Sequence, residues 1–255
     1  MTLELANRFS VRLARTEADV SAAQRLRYDI FVTEMGGTGD MVDHAAKIEA
    51  DRFDAFGDHL LLFDRFSDDP ETVIGVYRLM NDDQARAAGR FYSASEFDLS
   101  PLLQSGRPLL ELGRSCLVRS YRGGPALFAM WQGLSAHIHL TGAEIIFGVA
   151  SFPGTDSALV TDALHLLSCE YLAPPHLRPT AIGPTALTVA DTDHAIDRKA
   201  VMRTMPPLIK SYLKLGGCVG EGAFVDHAFN TTDVCMVLDV ALVPDRQRAI
   251  YGALP

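Results

Sequence analysis

Residues 123–143 carry no Asp, Glu, Lys or Arg, and this run of 21 residues constrains the fold more than any other feature of the chain. Its length matches a membrane span. It opens with Gly123-Gly124-Pro125, however, and contains Gln132, Ser135, His137 and His139, which a lipid-facing helix would hold at a cost. The reading adopted is a buried helix, and such a helix needs a sheet and other helices to cover it.

The surrounding chain supplies these elements. Phe9–Leu13, His59–Phe63 and Thr72–Met80 read as strands, the last two joined by the turn Ser67-Asp68-Asp69-Pro70. Leu109–Val118 leads as a strand into the uncharged helix, and apolar Ala143–Ser151 follows it. Thr16 with Asp19 reads as a helix N-cap, and Val20, Ala23, Leu26 and Ile30 recur at helical spacing behind it. Arg27 and Phe31 share a face of that helix. Further helices are expected over Asp156–Leu172 and Pro206–Leu215, the latter stopped by Gly216-Gly217, and a strand over Val234–Val240. No repeat or Gly/Ser-rich linker divides the chain. The expectation is one α/β domain over residues 1–255: a twisted, mostly antiparallel mixed sheet flanked by helices, with a C-terminal extension.

Charge narrows the function. With 23 basic and 32 acidic side chains the formal charge is −9, which argues against a general nucleic-acid binder and offers no global attraction to anionic lipid. Cys116, Cys169, Cys218 and Cys235 lie far apart without CxxC or metal-type spacing, so they read as reduced thiols with no metal expected. MTLELANRFS lacks the pattern of a signal peptide, so the expected location is cytoplasmic, with peripheral contact at the inner membrane left open.

Three stretches could carry chemistry. Val118, Arg119, Tyr121, Arg122, Gly123 and Gly124 form a basic, Gly-rich loop before a helix, where amides and arginines can take a phosphate. The same loop could equally be a plain strand-to-helix turn. On the strand before it, Glu111 could accept a proton and Arg114 could grip a carboxylate, or the two could be a simple salt-bridged pair. Residues three apart on a regular strand face opposite ways, so convergence needs a bulge, for which Gly113 is the expected place. Asp51, Asp54 and Asp58 cluster within eight residues and could form only a solvated loop. His137 and His139 diverge on a helix, while Tyr28 and Trp131 read as packing residues.

In order, Arg27-x-x-x-Phe31, Asp51-x-x-Asp54, Gly75-x-x-Arg78-Leu79, Phe97-x-x-Ser100 and Glu111-x-x-Arg114 resemble the acyl-homoserine-lactone synthases over roughly the first 120 residues. The whole chain resembles a sister group, the hemolysin-like bacterial N-acyltransferases that begin ornithine-lipid synthesis. That likeness rests on Leu110–Cys116, Pro206–Lys210 and Val225–Val234. It implies a GNAT-like fold and transfer of a 3-hydroxyacyl group from acyl carrier protein to the α-amine of ornithine, giving lyso-ornithine lipid. The donor would be the carrier's acyl-phosphopantetheine, with no resident cofactor. Glu111 would be the general base; Arg27, Phe31, Asp51, Asp54, Arg78 and Arg114 would surround the acceptor and acyl site. Asp226, with Asp51 and Asp54, is a candidate for the second, cationic amine. Ser120 and Pro125 depart from the GNAT loop pattern Q/R-x-x-G-x-G/A, which disfavours coenzyme A pyrophosphate and suits a single phosphodiester. Glutamine or another amino acid as acceptor, lactone synthesis, and a non-catalytic carrier- or lipid-binding role stand as alternatives.

Overall fold

The structure, a computed structural model, describes residues 8–38, 42–122, 124–189 and 195–251. Thr16 caps the first helix, α1 (Glu17–Arg27), its hydroxyl accepting from Asp19 N at 3.1 Å. The chain then continues as a π-helical turn over Tyr28–Glu34 rather than as regular helix.

Nine strands join in one mixed sheet: β1 (Phe9–Leu13), β2 (Asp58–Asp64), β3 (Val73–Asn81), β4 (Leu109–Leu117), β5 (Ile145–Pro153), β6 (Ala186–Leu187), β7 (Cys218–Val219), β8 (Ala223–Asp226) and β9 (Thr231–Asp239). Their order is β1-β2-β3-β4-β5-β9-β8-β6, with β7 added on β9. Neighbours from β1 to β4 are antiparallel. β4 and β5 run parallel and therefore need a crossover, which the uncharged segment provides as α2 (Gly124–Thr141). Met130 and Leu134 of α2 are fully buried, and Ala126, Trp131 and Ile138 join them in the largest core. Each large apolar side chain so placed stabilises the fold by about 1.5–3 kcal/mol. Among the described residues, no helix is long and apolar enough to cross a membrane.

Two more helices, α3 (Thr161–Glu170) and α4 (Pro207–Lys214), pack into the same core, where Trp131 meets Tyr212 edge-on at 5.4 Å. A 3-10 turn over Ser157–Val160 precedes α3, so the expected helix from Asp156 begins later; Asp156 instead caps that turn through Ala158 N. β9 starts at Thr231, three residues before the expected Val234, because Asp233 occupies an inward-facing position that its charge disguises. Along β9, Val234, Met236 and Leu238 enter the α2 core. Cys235 and Val237 enter a second cluster with Phe91, Phe97 and Phe147 on the other face.

Two irregularities make the site. β4 pairs with β5 only at Leu109↔Ile145, Leu110↔Ile146 and Glu111↔Phe147, whereas β5 stays paired with β9 from Pro153 to Ile145. The strands therefore part beyond Glu111. At the parting point a Cβ on Gly148 would lie 2.1 Å from the Leu112 carbonyl oxygen, a contact only glycine allows. The other irregularity is a bulge in β4: Arg78 pairs with Gly113 and Val76 with Cys116, leaving Arg114 and Ser115 opposite Tyr77. The bulge thus falls one residue after the expected Gly113, which keeps a regular partner. Arg114 itself takes the left-handed conformation at φ +51°, a cost of about 1–3 kcal/mol that its ion pairs and ring contacts oppose.

Candidate active site

The parting of β4 and β5 opens a cavity of about 280 Å³. Gly113–Leu117 of β4 and Val149–Ser151 of β5 form its walls. Leu127 of α2 with Pro207 and Leu208 of α4 line an apolar end. Tyr92, Ser93, Glu96, Asp226, Thr231 and Asp233 line a polar end, and Phe31 and Phe229, in edge-on contact at 5.9 Å, complete the boundary. Cys116 also lines it, but burial pushes its thiol up to about 12, so it is no nucleophile near neutral pH.

Behind the Arg114 side lies a closed ion network. Arg27 pairs with Glu49 and, at 2.7 Å, with Asp54. Arg78 pairs with Asp51 and, at 2.9 Å, with Asp54; Arg114 reaches Glu49 at 3.2 Å and Asp51 at 2.8 Å. Three cations therefore balance three anions, all nearly removed from water. Burial works to raise Asp51 and Asp54, yet the arginines outweigh it and hold both below the usual carboxylate range. Local structure sets this up: Asp51 and Asp54 form a reciprocal capping box around the 3-10 turn Arg52–Ala55, which fixes both carboxylates toward the arginines.

The residues expected from sequence thus divide. Arg114, Phe31, Asp226 and Arg122 line the cavity. Arg27, Arg78, Asp51 and Asp54 do not; they belong to the network, which positions Arg114 by holding its guanidinium between the rings of Tyr92 and Phe229 at 4.4 and 4.8 Å. Glu111 is buried at the last paired position of β4 and β5, one layer behind the wall. Its oxygens accept from Tyr92 N at 2.9 Å and Ser93 N at 2.6 Å, so Glu111 and Arg114 both meet the Tyr92–Ser95 turn, as the bulge allows.

In the loop after β4, the amide of Val118 donates to Ile74 O at 2.9 Å and is not free for a ligand. Tyr121 donates to Asp64 Oδ2 at 3.0 Å and stacks edge-on against Phe9, away from the cavity lining. Arg119 is exposed, and Arg122 pairs with Glu34, Nη2 to Oε2 at 2.7 Å. Gly124 begins α2 in the left-handed region at φ +62°; Gly123 lies outside the described residues.

Sequence reasoning missed Glu96 and Asp233. With Asp226 they bring one carboxylate oxygen each within 4.8 Å of one another, an all-oxygen set that suits a hard cation or an ammonium. Burial raises Glu96 well above the ordinary range, and the neighbouring Asp233 and Asp226 raise it further. Burial likewise pushes Asp233 up to about 7, against the nearby Ser151 and Thr231 hydroxyls. The available signal was Asp233 itself, a charge in register with Cys235 and Val237 on a buried strand face.

Residues 26–132 match the acetyltransferase (GNAT) domain family. The chain is 46% identical to an L-ornithine N(alpha)-acyltransferase of Rhodobacter capsulatus, over 95% of this chain and 94% of that protein. A second L-ornithine N(alpha)-acyltransferase, from Brucella abortus, is 39% identical over 95% of this chain and 88% of its own length. Among solved structures, FeeM, an N-acyl amino acid synthase from uncultured soil microbes, superposes with a TM-score of 0.53 at 12% identity. That match covers 92% of this chain and 94% of FeeM, and it speaks to the fold.

Proposed function

The chain belongs to the L-ornithine N(alpha)-acyltransferase family, and from that premise we propose that it moves a 3-hydroxyacyl group from acyl carrier protein to the α-amine of ornithine, forming lyso-ornithine lipid. The observation that carries this reading is the opening between β4 and β5, one cavity with an apolar end for an acyl chain and a polar end for an amino acid.

The reaction asks four things of the site. The thioester needs a place beside unpaired backbone, and β4 beyond Glu111 leaves its ladder with β5 there, freeing amides for the developing oxyanion. The acceptor's α-carboxylate needs a cation, and Arg114 is the cavity arginine fixed by both its ion pairs and its ring contacts. The α-ammonium must lose a proton before its nitrogen can attack. Glu111 is the acceptor we assign: it stands at the apex of the opening, and each oxygen keeps a lone pair beyond its amide bond. The nitrogen then bonds to the acyl carbon and the carbon–sulfur bond breaks; the proton held by Glu111 passes to the departing thiolate, and the second proton, shed by the new amide nitrogen, goes to the freed Glu111 carboxylate and on to solvent. Lastly the donor's phosphodiester needs positive charge, which Arg119 and Arg122 supply at the head of α2.

Incubating the protein with ornithine and either 3-hydroxyacyl carrier protein or the matching coenzyme A thioester, with mass-spectrometric readout, tests the reading. Acyl-ornithine is expected with a higher kcat/KM from the carrier protein. Preference for the coenzyme A thioester refutes the donor assignment, and absence of acyl-ornithine from both donors refutes the function.

A further inference from the structure

The ion network and the acidic trio differ in one decisive respect. In the network each of Glu49, Asp51 and Asp54 has an arginine, and the charges cancel. Glu96, Asp226 and Asp233 form no ion pair with any described Arg, Lys or His. Arg114 acts on Glu96 and Asp233 from a distance, while its carboxylate bonds go to Glu49 and Asp51. Glu96 and Asp233 are each only 3% exposed, yet Glu96 Oε2 and Asp233 Oδ1 form no hydrogen bond of good geometry, although the Ser151 and Thr231 hydroxyls stand close to Asp233. Asp226 is secured otherwise, its Oδ1 accepting from Ala228 N and Phe229 N at 2.8 and 3.0 Å. Buried acceptors at the edge of a cavity cost free energy unless a donor meets them. They are satisfied when a donor arrives.

We propose that Glu96 and Asp233, with Asp226, form a subsite for the side-chain ammonium of the acceptor, and that this subsite makes the enzyme choose a diamino acid over a neutral one. The inference rests on the reading of the cavity as an ornithine N-acylation site. Register supports the placement. Asp233 pairs with Ser151 of β5, so it sits one strand beyond the wall of the opening in which the thioester would lie. Adjacent strands are about 4.8 Å apart. The four bonds from the α-carbon of ornithine to its terminal nitrogen, each about 1.5 Å in a zigzag, span about 5 Å. An extended ornithine side chain is thus about one strand spacing long, so an α-amine held beside β5 leaves the terminal ammonium within reach of the trio that lines the same cavity. An ammonium with three donors matches three convergent carboxylates.

Proton balance follows from the same crowding. The groups facing Glu96 and Asp233 are Asp226, Glu111, Arg114, Tyr92 and Cys235, together with the Ser151 and Thr231 hydroxyls. Burial and mutual repulsion raise the pair's proton affinity, Asp233 to about 7. An arriving ammonium favours the ionised form, so binding releases a proton near neutral pH and ornithine affinity rises as pH passes upward through about 7.

The test compares L-ornithine with L-norvaline, which has the same carbon chain and no terminal amine, at saturating donor. The ornithine-to-norvaline ratio of kcat/KM is expected to fall roughly 10- to 100-fold in Glu96→Gln/Asp233→Asn, chiefly through the KM for ornithine. An unchanged ratio overturns the inference. So does activity lost to a chelator and restored by a divalent cation, which would give the trio to a metal. Calorimetry on the unaltered protein without donor covers the case in which the variant does not fold: ornithine should bind with proton release and rising affinity from pH 6 to 8, and norvaline should show neither. Identical behaviour of the two ligands overturns the subsite while leaving acyl transfer intact; absence of any acyl-amino acid product fails the function itself.

Discussion

Replacing Arg27 with Met should destabilise the protein by about 3 kcal/mol. Arg27 is fully buried, and its guanidinium faces Glu49 and Asp54, themselves shut off from water. Met keeps an unbranched apolar stem and removes the guanidinium, leaving the network one cation short. Breaking a buried pair in this way costs about 3–5 kcal/mol, because the partner is stranded. The lower end applies here, since Glu49 keeps Arg114 at 3.2 Å and Asp54 keeps Arg78 at 2.9 Å. For a chain of this size such a loss lowers Tm by roughly 6–12 °C. The pH dependence carries its own sign. Asp51 and Asp54 titrate below their ordinary range in the folded state, so their contribution is present above about pH 4 and is lost as pH falls through the depressed values. The variant has less to lose there, and its deficit should shrink in acid. Urea unfolding at pH 7 and at about pH 2 measures both. A deficit below about 1 kcal/mol at pH 7, or one that fails to shrink, would refute the balanced-network account.

Three further outcomes are expected. Gly148→Ala should raise the donor KM and lower stability by about 1–3 kcal/mol, since the new Cβ would meet the Leu112 carbonyl oxygen at 2.1 Å and force β4 and β5 to shift where they part; unchanged donor kinetics and thermal unfolding would contradict this. Glu111→Gln should cut kcat by roughly 10²–10⁴-fold. Unchanged turnover would mean that Glu111 only holds the Tyr92–Ser93 amides. Arg119→Glu, chosen because Arg122 is already paired with Glu34, should raise the carrier-protein KM and weaken its salt dependence; if neither changes, docking lies elsewhere.

Much of this arrangement is legible in the sequence where local rules decide. The Thr16 cap, the strands leading to β4, and the buried helix after it follow from period and capping. The need for a bulge between Glu111 and Arg114 follows from strand alternation, but its place does not. Pairing with β3 sets it at Arg114–Ser115, and a non-glycine residue bears the positive φ. Asp51 and Asp54 look like ligands for a cation because nothing local shows that Arg27 and Arg78, from α1 and β3, already satisfy them. The acidic trio is hidden for the converse reason. Glu96, Asp226 and Asp233 come from a turn after a 3-10 helix and from the separate strands β8 and β9, so only tertiary packing brings them together. The π-helical turn that carries Phe31 likewise has no signal in the helical period before it.

The position of the new amide tests the account most directly. An α-amine in the opening between β4 and β5, with the terminal ammonium held beyond β5, requires acylation at one nitrogen only. Tandem mass spectrometry of the product formed from ornithine and 3-hydroxyacyl carrier protein should therefore find the acyl group on the α-nitrogen and a free terminal amine. Acylation at the terminal nitrogen, or a mixture of the two, would contradict it.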